Sequence, residues 1–339
     1  MPASTLSSWG FLLFPGFPMA CLTSAIEPLR AACELTGRRE FSWSLLGEQP
    51  GPVRASALVG FDTDCALADP RARDLDALIC LSPPDARFED PRRANAQLRR
   101  LGLGGVALGG FSGGVFPLQR SGAMRGHAPS VHYAYEAAWE AEFPDAPRSR
   151  AAIVRERGRI TASGAGAVFD LMLHVVEERL GRALMTEVAC WFQHPFVRDE
   201  AAPQARPVAE AGGIEGSLPA PVREAIRLFA AHVEEPLPIR AVAEQVRLSE
   251  RTLERAFKAA TGLGPLRYYR RMRLERGRQR VLYTAEPVAE IARAVGFGST
   301  ADFARAYHDA FGARPADNNM CSADRRPTAL AAAPVRRAP

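Results

Sequence analysis

The residues whose type and spacing suit chemistry fall in two sets. The first is Ser112, set in Gly109-Gly110-Phe111-Ser112-Gly113-Gly114 where an apolar run opens into a helical pattern. A small polar residue in such a junction can be held above a sheet edge, as in a nucleophile elbow. Ser112 could thus be a nucleophile, although a serine attacks poorly unless a base activates it. The second set is left on the outer faces of two short helical patterns. One presents Glu250, Arg251, Glu254, Arg255 and Lys258; the other presents Thr300, Ala301, Ala304, Arg305 and His308. Basic side chains so placed can reach phosphates or base edges, which is recognition and not bond making.

The elements that must position the second set read clearly. Ile239, Val242, Ala243 and Val246 mark one side of a helix, and Arg247-Leu248 makes a short turn. Ser249 is placed to cap the next helix, which Leu253, Ala256 and Phe257 bury at i, i+3, i+4 spacing. The plan recurs downstream. Val288, Ile291, Ala292 and Val295 line a helix, Gly296-Phe297-Gly298 turns, and Ser299 with Asp302 resembles a capping box. Phe303, Ala306, Tyr307 and Phe311 bury the fourth helix. A short helix, a tight turn and a capped second helix is the geometry that seats side chains in a major groove. The arginine-rich stretch Leu266–Tyr283 between the units would form a rod of about 27 Å. That is near the roughly 34 Å between successive major-groove faces on one side of a duplex.

Residues 242–315 resemble the DNA-binding domain of the AraC/XylS family. The motifs that carry the resemblance are S-x-R-x-L-x-R-x-F from Ser249 to Phe257, R-L-x-R-[AG]-x-x-x-[LV]-L from Arg273 to Leu282, I-A-x-x-V-G-F-x-S from Ile291 to Ser299, and F-G-x-x-P from Phe311 to Pro315. The resemblance implies double-stranded DNA as partner, RNA polymerase as a further one, and DNA contacts from Ser249, Arg251, Thr252, Arg255 and Lys258 in the first unit. Ser299, Thr300 and Arg305 are the second group. Ser249 and Ser299 could serve only as caps, and Arg255 or Arg305 could pair with a neighbouring carboxylate instead. Three departures from the pattern stand out. Arg280 occupies a position where leucine is commoner, Asp317-Asn318-Asn319 replaces a Tyr-Arg pair, and His308-Asp309 stands where basic residues are usual. The first unit is therefore expected to contribute more binding energy than the second.

Residues 1–195 alternate short apolar runs with helical patterns, which argues for an α/β domain on a largely parallel sheet. Strands are expected at Phe11–Phe14, Phe41–Leu46, Ala77–Leu81 and Gly105–Leu108, with a hairpin around Arg157-Gly158. Helices are expected over Met19–Cys33 and Ala94–Leu101, and one long helix over 165–191. The frame S-x-G-x7-G-x3-G through Ser112, Gly114, Gly122 and Gly126, with Ala25-Ile26-Glu27-Pro28-Leu29-Arg30 ahead and Ser130-Val131-His132-Tyr133 behind, looks like the sensor domain of AraC-type regulators. That domain is built on the class I glutamine amidotransferase-like (PfpI-like, GlxA-type) flavodoxin-like fold. Enzymes of the fold carry cysteine at the elbow with a histidine nearby; here the positions hold Ser112 and His132. The resemblance implies a non-catalytic domain binding a small amino-acid or amine-type effector, with no cofactor. Ser112, flanked by Phe111 and Gly113, would bond a ligand carboxylate, and Glu27 would face an ammonium, with cation–π help from Phe17 or Phe111. Glu27 as a surface carboxylate and His132 as a core histidine remain open. The rival is a hydrolase or amidase using Ser112, with an appended DNA-binding domain.

Bulk properties agree with two domains. The chain has 339 residues, 43 basic and 38 acidic side chains. Residues 221–320 hold 17 basic and 12 acidic of these, so the surplus of five sits in the helical module and points to a polyanion partner for it alone. The six cysteines form no CxxC pair and read as reduced, buried thiols. No apolar run is long enough for a membrane span and no leader pattern opens the chain, so a cytoplasmic protein is expected. The domain plan is a sensor and dimerisation domain over 8–195, a linker over 196–220, a DNA-binding domain over 221–318, and a disordered tail over 319–339. The helix at 165–191 is a candidate homodimer surface, with a core helix as the alternative. The whole reads as a ligand-responsive transcription regulator, an activator by expectation.

Overall fold

A computed structural model of the chain describes residues 6–194, 196–205 and 218–318, so the expected tail lies outside the described residues. The chain divides into two compact units after Gln204.

In the first unit, parallel pairing links β1 (Ser7–Leu13), β2 (Phe41–Gly47), β5 (Cys65–Ala66), β6 (Ala77–Ser82), β7 (Ala107–Ser112) and β9 (Arg159–Ala162). β8 (Ile153–Glu156) adds antiparallel to β9, giving a seven-stranded sheet of order β5-β2-β1-β6-β7-β9-β8. β3 (Pro52–Arg54) and β4 (Gly60–Asp62) form a separate antiparallel pair that the sequence pattern did not signal. Side-chain alternation along the strands feeds two cores, as a sheet covered on both faces requires. Phe11, Leu13, Ile79, Leu81 and Phe111 pack with α1 (Met19–Thr36), α5 (Ala165–Leu180) and α6 (Arg182–Trp191). Leu12, Phe14, Leu78, Cys80 and Leu108 pack on the other face with α2 (Pro91–Leu103) and α3 (Val115–Ser121). α4 (Glu136–Glu142) is tied to α3 through Trp139, whose ring meets Phe116 edge-on at 5.4 Å.

Three expectations need correction here. The single helix over 165–191 is two helices, because Gly181 takes φ 88° and ψ 162° between them. The strand expected over 105–108 extends to Ser112, so Phe111 is a strand residue whose side chain is fully buried in the core. Its side chain belongs to the core, as does that of Phe17, fully buried against Phe61 at 5.4 Å, so neither is presented at the surface. Finally, the stretch expected to begin a linker is fastened to the first unit. Ala152 N–H donates to the Ala202 carbonyl at 2.8 Å, and Gln204 N–H to the Arg150 carbonyl at 3.0 Å. Its far end is also committed, since Leu218 is buried in the second unit's core; residues 206–217 lie outside the described residues.

The second unit is helical: α7 (Ala220–Ala231), α8 (Ile239–Gln245), α9 (Glu250–Thr261), α10 (Pro265–Tyr283), α11 (Val288–Ala294), α12 (Thr300–Phe311) and α13 (Pro315–Asn318). Phe229, Leu253, Phe257 and Tyr269 centre one core, and Leu274, Val281, Ile291, Phe303 and Tyr307 centre a second. α10 contributes to both. At nineteen residues it is about 28 Å long. Among the described residues no helix is long and apolar enough to cross a membrane.

Two outcomes are expected from this packing. Phe111→Ala should cost about 3–5 kcal/mol of stability in chemical denaturation, as a core truncation does; a near-neutral effect would return Phe111 to the surface. Burial pushes the thiols of Cys21 and Cys80 up to about 12, so both stay protonated and unreactive. Alkylation at about pH 8, read by peptide mass mapping, should leave them unmodified and label the exposed Cys190.

Candidate nucleic-acid interface and ligand crevice

The two helical pairs of the second unit are set by their caps and turns. Ser249 Oγ accepts from Thr252 N–H at 3.2 Å and bonds Thr252 Oγ1 at 2.8 Å. Ser299 Oγ accepts from Asp302 N–H at 3.1 Å and donates to the Asp302 carboxylate at 2.9 Å. Both serines thus cap their helices, and Thr252 shares its hydroxyl with the cap. The turn before α9 places Arg247 at φ 59°, and the turn before α12 places Gly296 at φ 72°.

The recognition-helix positions differ between the pairs. On α9, Glu250, Arg251, Glu254, Arg255 and Lys258 are exposed or half-exposed, and Arg251, Arg255 and Lys258 have no ion-pair partner among the described residues. Their guanidinium and ammonium groups are available to an anionic partner. On α12, Thr300, Ala301, Arg305 and His308 are exposed and Ala304 is half-buried. Arg305 is paired with Asp302 one turn back, and the Ser299 hydroxyl together with Arg305 holds the Asp302 carboxyl below its ordinary range. The arginine on this face already has a carboxylate partner. Arg280, the departure on α10, bonds Glu286 with two contacts of 3.0 and 3.2 Å. It closes the loop after α10 instead of packing as an aliphatic side chain.

Sequence reasoning missed the residue that joins the two pairs. Arg273 on α10 donates to the Gly296 carbonyl at 3.1 Å. Its guanidinium lies over Phe297 at 4.9 Å and over Tyr269 at 5.7 Å, one ring from each core. Burial lowers its pKa from the ordinary guanidinium value. Gly296 is forced twice over: its φ is positive, and a Cβ would meet the Val233 carbonyl oxygen at 2.5 Å. The arginine motif showed this position in the sequence, but nothing there gave its partner.

In the first unit the C-terminal edge of the sheet gathers small hydroxyls. Ser112 ends β7 at φ 54°, 6% exposed, opposite Ser82 on β6. Phe111 pairs with Ala162, so Ser163 comes next beside Ser112. Ser82 Oγ is buried without a hydrogen-bond partner, and neither Ser112 nor Ser163 has a side-chain partner among the described residues. Gly113 packs under Ser82-Pro83-Pro84: a Cβ there would meet the Ser82 carbonyl oxygen at 2.3 Å and Pro84 N at 2.9 Å. Arg120 fixes this roof by donating to the Pro84 and Ala86 carbonyls at 2.6 and 2.7 Å, with Glu142 as its counter-ion. His132 is half-buried. Its Nδ1 accepts from Ala134 N–H at 3.1 Å, and Gly164 leaves room for its ring.

Glu27 is not brought to this edge. It sits eight residues into α1, about 12 Å beyond the helix start. It is 42% exposed, and accepts from Arg30 Nε at 2.9 Å. Of the five ligand-site candidates, Ser112 and Gly113 lie at the sheet edge, His132 faces Gly164 one residue past Ser163, Phe111 is core, and Glu27 lies on α1. Ser82 and Ser163 were missed, because a serine ending an apolar strand has no spacing signal of its own.

On DNA the asymmetry of α9 and α12 should be measurable. Arg251→Ala or Arg255→Ala is expected to weaken binding by about 1–3 kcal/mol, and Arg305→Ala by clearly less, in fluorescence anisotropy against a selected operator. Equal losses would mean that Asp302 releases Arg305 on binding. Arg273→Met should leave affinity for a single half-site unchanged and lower it for the two-half-site duplex.

A family model described as a helix-turn-helix domain matches residues 242–318. Across the whole chain, the transcriptional regulator GbdR of Pseudomonas aeruginosa is 32% identical over 313 residues, 92% of this chain and 84% of that protein. The regulator GlxA of Rhizobium meliloti is 31% identical over 307 residues, 90% and 93% of the two chains. A solved AraC family transcriptional regulator from Pseudomonas putida superposes with a TM-score of 0.50 at 23% identity, covering 55% of this chain and 99% of its own, and so shares the fold. Full-length relatives at this identity, the matched helical module and the parallel-sheet unit agree: the chain belongs to the AraC/XylS family of DNA-binding transcription regulators that carry an amidotransferase-like, GlxA-type domain ahead of the helix-turn-helix pair.

Proposed function

We propose that this regulator answers to a small amino-acid or amine-type ligand held in the crevice at the C-terminal edge of the sheet. The observation that carries the reading is Ser82 Oγ, buried without a partner, with the hydroxyls of Ser112 and Ser163, also without a side-chain partner among the described residues, at the neighbouring strand ends. A buried hydroxyl without a partner is costly, and a carboxylate or carbonyl entering the crevice would satisfy it. Crevices at the carboxyl ends of parallel strands are where such folds take ligands. Glu27 is left out of the contact set, and the ammonium end of the ligand is then matched by groups other than this Arg30-paired carboxylate. Occupancy would change how the helix-turn-helix module engages DNA in a homodimer. Activation through contact with RNA polymerase, in a cytoplasmic setting, completes the reading.

The left-handed Ser112 is what favours the rival reading, a hydrolase or amidase. The hydrogen bonds of the histidine and the serine support the binding role instead. His132 Nδ1 is engaged by a backbone N–H, and Ser112 has no base bonded to its hydroxyl among the described residues.

A thermal-shift screen of the full chain against amino acids, carnitine, betaines and polyamines tests the proposal. A true ligand at about a hundred times its Kd should add about 2.7 kcal/mol of apparent stability, and Ser112→Ala should abolish that shift while leaving DNA binding intact. Turnover of amide substrates by the wild type, lost in Ser112→Ala, would overturn it in favour of the enzyme.

A further inference from the structure

Residues 196–205 lead along the chain toward the DNA-binding module, yet they are bonded back onto the first unit at residues 131–133 and 150–152. Gln204 grips both flanks of His132. Tyr133 N–H donates to its Oε1 at 3.0 Å, and its Nε2 donates to the Val131 carbonyl at 2.8 Å. The backbone around it pairs with residues 150–152: Ala151 bridges Pro203 antiparallel, and the Ala152 and Gln204 N–H groups bond across. Those same residues also hold the strand end that carries Ser163. The Ala152 carbonyl accepts from Ser163 N–H at 2.9 Å, and Ser130 Oγ donates to the Ala151 and Ala152 carbonyls at 2.7 and 3.0 Å.

A second fastening lies upstream. Asp170 on α5 is fully buried, and its carboxylate takes Arg198 Nε at 2.6 Å on one oxygen and His194 Nε2 at 2.6 Å on the other. The Arg198 carbonyl is bonded to His174 Nε2 at 2.8 Å. Arg198 lies so close to the first turn of α5 that a Cβ at Gly166 would meet its Nη2 at 2.6 Å; two residues earlier, Gly164 faces the His132 ring. The upstream fastening is firm: Asp170 is a buried charge whose pairing is costly to break, and Val197 packs against the core of the first unit although Phe196 is 80% exposed. The downstream end, around Gln204, is held by the hydrogen bonds given above, and such an end opens at low cost compared with the packed core.

We propose that residues 196–205 form a strap that reads the state of the crevice and passes it along the chain, with Gln204 as its positioning residue. The inference rests on the ligand reading above and names its regulation. A ligand that moves His132 or Ser163 changes the bonds that hold Gln204 and Ala202, and so shifts the population with the strap seated. Coupling of this kind needs only a two-state segment whose seated form differs in affinity for the ligand, and typical couplings change affinity about 5- to 150-fold.

Hydrogen exchange on the full chain, with no ligand added, tests the coupling from both ends. His132→Ala, which removes the acceptor of Ala134 N–H between the two Gln204 contacts, should speed exchange in the strap peptide 198–205 and at 150–152; Gln204→Ala should speed it at 130–135 by about fivefold, the size of one lost hydrogen bond. The middle of α5 should stay protected in both. Effects confined to the mutated segment in either variant would overturn the strap. Should Gln204→Ala fail to fold, Gln204→Glu keeps the acceptor for Tyr133 N–H and removes the donor to Val131; faster exchange at 130–135 is again expected, and an unchanged rate would overturn it. A ligand screen without hits leaves this result standing and sinks only the ligand reading, so the two fail separately.

Discussion

Arg273 and the Gly296 carbonyl meet at 3.1 Å between two aromatic rings, one from each core of the helical module. On this contact depends the angle between the two recognition helices. α10 alone would supply a spacing, but a helix fixes distance better than it fixes the rotation of the next element. The turn around Gly296 adds the rotational constraint, because its Cα abuts the Val233 and Glu234 carbonyls and tolerates no side chain. Gly277 does the same work farther along, where a Cβ would collide with the Phe303 ring at 2.7 Å. Two modest DNA contacts joined rigidly act as one strong contact, since the second binds at high effective concentration once the first is seated.

That rigidity makes the chemical inequality of the two helices tolerable. α9 offers three unpaired cations, while α12 offers one arginine already matched by Asp302. The second helix is then suited to reading shape and hydroxyl or methyl contacts through Thr300 and Ala301 more than to adding electrostatic attraction. In the first unit the division of labour is similar. Glycines at 113 and 114 let the elbow backbone lie against β6, where a Cβ at Gly114 would fall 1.8 Å from the Cys80 carbonyl oxygen. The result is a fixed hydroxyl edge whose floor is set by the sheet and whose roof is set by Arg120.

Much of this was legible in the residues. Apolar spacing and capping serines located α8, α9, α11 and α12, because the signals that build a helix-turn-helix pair are local. The strands of the parallel sheet were visible as apolar runs, and the serine between glycines marked the elbow. What could not be read depends on partners distant in sequence. Phe111 looked available to a ligand until the register with Ala162 showed the strand continuing through it. Glu27 sat in a suggestive segment, but its place two turns along α1 and its pairing with Arg30 depend on the helix and could not be read from its residue type. Gly181 ended a helix that periodicity alone would continue, and Gln204 lies in a stretch whose composition says linker although its bonds say otherwise.

The hydroxyl edge has a consequence for the kind of signal the first unit could carry. On the reading proposed above, Ser112 holds its occupant by hydrogen bonds and forms no covalent bond to it, so an occupant would depart as it arrived. A site of that kind would keep no memory of past encounters and consume nothing. Its occupancy would follow the surrounding concentration in both directions, and so would the output of the genes it controls.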